Sequence, residues 1–177
     1  ARELVLLAVL CALAVAARVA IPIPNFKPIY GMIMIAGIAF GPESGFLVGA
    51  MAALSSNFFF SQGPYTPWQM LSYGAAGMLA GYLFQKNRLP KRPVIMAVAG
   101  FLSVLLLVGP LLDTCTLFLA PVKFTAKTVF AIYASGFPVN ISQGISTFVV
   151  LFLIGKPMLE KLERIKRKYG MLEGKSL

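Results

Sequence analysis

The chain alternates long apolar runs with short clusters of proline, glycine, amide and charged residues. The first run extends from about Glu3 to Ala20 and predicts a helix. Arg18 to Tyr30 then holds Pro22, Pro24 and Pro28, which break the helix and force an extended or turning path. A second, short run from about Pro28 to Phe40 ends at the turn signal Gly41-Pro42-Glu43-Ser44. The third begins near Ser44 and ends near Phe60, with Gly45, Gly49, Ala52 and Ala53 as a small-residue face, and Gly74, Ala75, Gly77, Ala80 and Gly81 make the run after it another close-packing helix. The fourth runs from about Pro67 to Phe84, with Pro67 suited to a first helical position. The fifth covers about Val94 to Leu112, where Pro110 is expected to kink or end it. Asp113 to Pro138 reads as a long, partly helical connector over the membrane face, or as a stretch dipping between helices. The sixth run covers about Val139 to Ile154. The tail beyond Gly155 carries Lys156, Lys161, Arg164, Lys166, Arg167 and Lys168, with Leu159, Leu162 and Ile165 at helical spacing. It is expected to lie on the membrane surface.

None of the runs has the strict alternation of an outer-membrane strand. Only helices or closed barrels satisfy the backbone in lipid, so the pattern predicts an all-α membrane protein. The expectation is a bundle of six transmembrane helices forming a single integral domain over residues 1–177, with a basic tail from about 156. Composition strengthens this: 58% of residues are hydrophobic and 12% charged, more apolar surface than a soluble domain of this size can hide. The first run resembles a signal peptide but continues into the Arg18 loop without a clean small-residue cleavage site, so a retained helix is expected.

The net charge of +10 would point to nucleic acid in a soluble protein. Here the cations flank apolar spans and set topology, and no nucleic-acid partner is expected. Six helices place both termini on one side, with the Glu43 turn, the basic turn of Lys86, Arg88, Lys91 and Arg92, and the tail. That side gathers twelve of the sixteen Lys and Arg residues and is expected to be cytoplasmic. Arg18, Lys27, Lys123 and Lys127 fall on the other, outward side.

Catalysis has little to work with. The chain has no His, which excludes a Ser-His-Asp triad, and no Cys or acidic cluster with metal spacing. Cys11 and Cys115 read as packing residues. There is no phosphate-binding loop, so the chain does not hydrolyse ATP itself, and no enzyme activity is expected.

Binding chemistry concentrates on the outward face, where the Arg18–Tyr30 loop, the Asn57–Trp68 stretch and the Asp113–Asn140 excursion converge. Phe58, Phe59, Phe60, Tyr65 and Trp68 offer flat apolar surface; Asn57, Gln62, Gln69 and Asn140 offer donors and acceptors. For Tyr65 and Trp68 the alternative is an aromatic belt at headgroup depth. Asn57 and Gln69 are more telling, because an amide near the end of a membrane helix needs a partner. Arg18 either snorkels to the headgroups or contacts a ligand. Asn25 and Lys27 read most simply as solvated loop residues, although they too lie on this face. Asp113, the sole acid there, either pairs with Lys123 or Arg18 or binds ligand. On the first helix Ala8, Ala12, Ala16 and Ala20 recur every fourth residue. Such a small-residue face serves close packing within the bundle or docking of a partner membrane protein.

Taken along its length, the chain resembles a substrate-binding S-component of an energy-coupling factor (ECF) vitamin transporter. The likeness rests on the six-helix length, the Ala8/Ala12/Ala16 series, Asn25-Phe-Lys-Pro28, Phe40-Gly-Pro-Glu-Ser-Gly45 and, above all, the stretch from Ser56 to Met70. It implies capture of a vitamin from outside, with a transmembrane coupling protein and two cytosolic ATPases as partners. It also implies that ATP is used by those subunits and that the chain sits in the plasma membrane of a prokaryote. Ala8, Ala12 and Ala16 would then meet the coupling protein. The substrate-binding set expected at the outward face is Arg18, Asn25, Lys27, Tyr30, Asn57, Phe58, Tyr65, Trp68, Gln69, Asp113 and Asn140. The Gly63–Gln69 stretch most resembles the cobalamin branch, so cobalamin is the expected ligand. Riboflavin, folate, pantothenate or a queuosine precursor are the alternatives within the same mechanism, and a membrane scaffold is the alternative outside it.

Overall fold

A computed structural model of the chain describes residues 2–85 and 88–171; Lys86 and the tail beyond residue 171 lie outside them. Six helices are present among the described residues: α1 Arg2–Ala20, α2 Ile29–Phe40, α3 Pro42–Phe60, α4 Thr66–Phe84, α5 Pro93–Leu119 and α6 Ala126–Lys168. By length and composition, α1, α5 and α6 are each able to cross a membrane.

The short α2 is the axis of the fold. Eleven of its twelve residues are buried, and it touches all five other helices. At 1.5 Å per residue it is only about 18 Å long, too short for the hydrocarbon core. Enclosure by protein removes the need for a full apolar span. Glycines bring α3 and α4 against it backbone to backbone. A Cβ on Gly37 or Gly45 would fall on the carbonyl oxygen of Gly77, and one on Gly81 would come within 2.6 Å of the Pro42 nitrogen. These are the close approaches that the small residues of the third and fourth runs predict. Gly41 turns the chain between α2 and α3 at φ 107°, a conformation that suits glycine.

The second half departs from the sequence-based expectation. No connector runs from Asp113 to Pro138: α5 continues to Leu119 and α6 begins at Ala126. The polar residues that suggested a loop are absorbed into helix. Thr114 and Thr116 donate from their hydroxyls to the carbonyls of Pro110 (2.6 Å) and Leu112 (3.1 Å), one turn back. Pro110 does not end α5. A π-turn over Val104–Val108 precedes it, with the Gly109 N–H bonded to the Val104 carbonyl, and the helix resumes. Pro138 sits inside α6, a position membrane helices tolerate when neighbours re-satisfy the backbone.

The basic tail is likewise not a separate surface helix. It continues α6 through a second π-turn, Leu151–Gly155. Leu159 and Leu162 are buried in the main core. Lys166 donates to the carbonyl of Ala39 at the end of α2, and Lys91 pairs with Glu163 at 3.8 Å. Arg2 donates to the Tyr169 carbonyl at 3.2 Å. These contacts gather the start of α1, the end of α2, the start of α5 and the end of α6 at one basic end of the bundle. The helices therefore alternate in direction.

Candidate functional site

The opposite end collects the C-termini of α1, α3 and α5 and the N-termini of α2, α4 and α6. Polar side chains there link α1, α2, α3, α4 and α6, and a further polar pair joins α5 to α6. Asn57, buried on α3, donates from its amide to Gln69 Oε1 at 2.8 Å and Thr66 Oγ1 at 3.3 Å on α4. Its own carbonyl oxygen accepts from Arg18 of α1 at 3.3 Å, and Arg18 also donates to Ser56 Oγ. The Arg18 guanidinium lies 4.7 Å from the Phe60 ring centre and 5.9 Å from that of Tyr73. Tyr73, one turn beyond Gln69, meets Tyr30 of α2 edge to face at 4.8 Å. Tyr30 then donates to Gln143 Oε1 of α6 at 3.2 Å. One turn away, Asn140 donates to Asp113 Oδ2 of α5 at 2.8 Å.

Two glycines make room for that last pair. A Cβ on Gly136 would strike the Asp113 carboxylate, and one on Gly109 would lie 2.6 Å from the Asn140 amide. Neither Lys123 nor Arg18 pairs with Asp113; its partner is an amide. Of the sequence-predicted residues, Arg18, Tyr30, Asn57 and Gln69 thus fall into one network, and Asp113 and Asn140 form a separate pair between α5 and α6, one turn away from Gln143.

The others stand apart from it. Trp68 stacks on Phe118 with ring centres 6.0 Å apart, and Phe118 in turn meets Phe124. Tyr65 donates to the Ser61 carbonyl at 2.8 Å and closes the turn before α4. Phe58 is 75% exposed and points away from the bundle interior. Asn25 is an exposed turn residue at φ 62°, which asparagine tolerates, and Lys27 is half-buried in the same loop.

Ser56, Thr66, Tyr73 and Gln143 belong to the network and were not singled out from sequence. Two of them carried a usable signal. Gln143 lies three residues after Asn140 on one helix face, and Tyr73 lies four after Gln69. The network supplies amide and hydroxyl hydrogen bonds, one cation and ring faces, which is the equipment for binding a molecule.

Ala8, Ala12 and Ala16 line an apolar groove of about 710 Å³ that runs between α1 and α3 from Leu4 to Val19 and Phe59, and so reaches this end.

Apolar helices closed around a polar layer at one end define a helical membrane protein, with that layer as its candidate binding site. The family model for "ECF-type riboflavin transporter, S component" matches residues 1–160, and the chain belongs to that family. Its members are substrate-binding subunits of transporters, not enzymes. The matching family is therefore the riboflavin type rather than the cobalamin branch suggested by the Gly63–Gln69 stretch. No match is found among curated proteins or among solved structures.

Proposed function

We propose that the chain is the substrate-binding subunit of an ECF-type ATP-driven importer and that its cargo is a flavin-type vitamin. The observation that carries this is the family match over residues 1–160. The polar network supports it, because a flat ring system with donors and acceptors along its edge suits a site of amides, hydroxyls and aromatic faces. The family match favours a flavin-type cargo over the cobalamin branch.

In this reading all six helices belong to the membrane domain of a prokaryotic plasma membrane. Both termini face the cytoplasm with the basic end, as the positive-inside rule favours. Cargo enters at the opposite, outward end. A transmembrane coupling protein docks along the groove of Ala8, Ala12 and Ala16, and two cytosolic ATPases supply the energy.

The test is melting of the purified chain against riboflavin, cobalamin, folate and pantothenate. A ligand that binds the folded state raises the melting temperature. A shift with riboflavin is expected; a shift with cobalamin alone would replace the flavin reading with the corrinoid one.

A further inference from the structure

Beyond its second π-turn, α6 divides into three faces. Leu159, Leu162 and Lys166 turn inward: the leucines are buried in the core and Lys166 donates to the Ala39 carbonyl. Glu160, Glu163 and Arg167 share a second face, where Glu163 meets Lys91 of α5. Lys161, Arg164 and Lys168, at i, i+3 and i+7, stack on the third, opposite the buried leucines. All three are exposed, and none of them pairs with an acid among the described residues. The contacts of this segment to α5, α2 and α1 run through Glu163, Lys166 and Tyr169 instead. Cations in a last turn complement the helix dipole, which accounts for Lys168 but not for Lys161, two turns earlier. Folding alone therefore gives no reason for the stripe.

Its surroundings place it at the edge of the apolar layer. The exposed apolar residues Phe152, Leu153 and Ile154 end two turns before Lys161. Two exposed tyrosines stand at the same end of the bundle, each beside cations. The Arg88 guanidinium lies 3.9 Å from the Tyr82 ring centre, and Lys168 and Arg2 each lie 5.8 Å from that of Tyr169. Exposed tyrosines collect where a membrane protein meets the headgroups. Charge at this end is also unbalanced: among the described residues, the acids there are Glu3, Glu43, Glu160 and Glu163, set against ten Lys and Arg.

We infer that Lys161, Arg164 and Lys168 form a docking stripe for the headgroups of an anionic phospholipid such as phosphatidylglycerol. An acid-free row of cations at headgroup depth is attracted to an anionic leaflet, and each cation adds to the attraction. The acidic surface of a soluble protein has complementary charge as well, but the tyrosines and the lipid-exposed apolar residues beside the stripe favour lipid. The lipid would hold the end of α6 in the membrane plane from outside, as Leu159 and Leu162 hold it from within.

The test is melting of the full chain in dodecyl maltoside micelles, without flavin, after addition of phosphatidylglycerol or phosphatidylcholine. It does not depend on what the cargo is. Phosphatidylglycerol is expected to raise the melting temperature by about 5 °C more than phosphatidylcholine does. The combined variant Lys161→Gln, Arg164→Gln, Lys168→Gln should lose that difference while melting as before in phosphatidylcholine. Lys161→Arg, Arg164→Lys, Lys168→Arg together keep the charges and should keep the difference. Equal shifts with the two lipids in the unsubstituted chain overturn the inference; if the glutamine variant then loses uptake in cells, the stripe belongs to an acidic protein partner instead. The combined variant Lys91→Gln, Lys156→Gln, Arg167→Gln removes as many charges from other positions at this end. A loss as large as that of the stripe variant would mean general charge attraction and overturn the assignment to these three residues.

Discussion

Tyr30 and Gln143, 113 positions apart in the chain, are joined by a 3.2 Å hydrogen bond from the tyrosine hydroxyl to the glutamine Oε1. Both are buried, and the bond ties the central helix α2 to the long helix α6 inside the polar layer. Tyr30→Phe keeps the ring against Tyr73 but leaves the Gln143 oxygen without its donor. The expected loss is about 1–3 kcal/mol, the cost of an unsatisfied buried acceptor, read as a lower melting temperature in detergent. No loss would mean that Gln143 finds another donor.

The α2–α3–α4 contact is intolerant of added volume. A Cβ on Gly77 would meet the Gly45 carbonyl oxygen, which is backbone and cannot swing aside. Gly77→Ala is expected to destabilise the bundle by about 1–3 kcal/mol. At Gly155 the nearest atom to a new Cβ is the Met96 terminal methyl at 3.4 Å, so Gly155→Ala should leave the melting temperature unchanged or slightly raised. Equal effects at the two positions would contradict the packing described.

The end of α6 is part of the core. Leu159→Ala should cost about 2–5 kcal/mol, as for a buried leucine. Glu163→Gln breaks only an exposed ion pair and should cost at most about 1 kcal/mol. If the segment lay on the membrane surface, Leu159→Ala would instead leave the melting temperature of the detergent-solubilised chain untouched.

Ala12→Leu or Ala16→Leu adds bulk to the groove between α1 and α3 without entering the polar layer. Uptake in cells is expected to fall severalfold or more while vitamin binding by the purified chain persists, because close helix contact depends on small residues. Unchanged uptake would remove the groove from the docking interface.

The first four helices were legible because prolines and glycines mark their ends and small residues mark their contact faces. The Gly45 and Gly77 approach follows directly from that pattern. The last two helices were not. Thr114 and Thr116 look like loop residues until their hydroxyls are seen bonding back along the helix. Pro110 reads as a stop, but the π-turn before it lets α5 continue. Leu159 and Leu162 form the same amphipathic stripe whether it faces lipid headgroups or protein, and periodicity does not distinguish the two. At the candidate site Arg18, Asn57 and Gln69 stood out because polar groups at membrane depth need partners. Tyr73 and Gln143 carried only a helical spacing from Gln69 and Asn140, and their partners on other helices emerge once the helices are arranged.

The central claim is that this chain binds a flavin at its outward end. Equilibrium titration of the purified chain with riboflavin, followed by quenching of flavin fluorescence, tests it most directly. Saturable one-to-one binding that weakens in Asn57→Ala, which removes the amide linking Arg18, Thr66 and Gln69, is the expected result. Fluorescence that stays unquenched at every protein concentration, in a chain that melts cooperatively and is therefore folded, would contradict it.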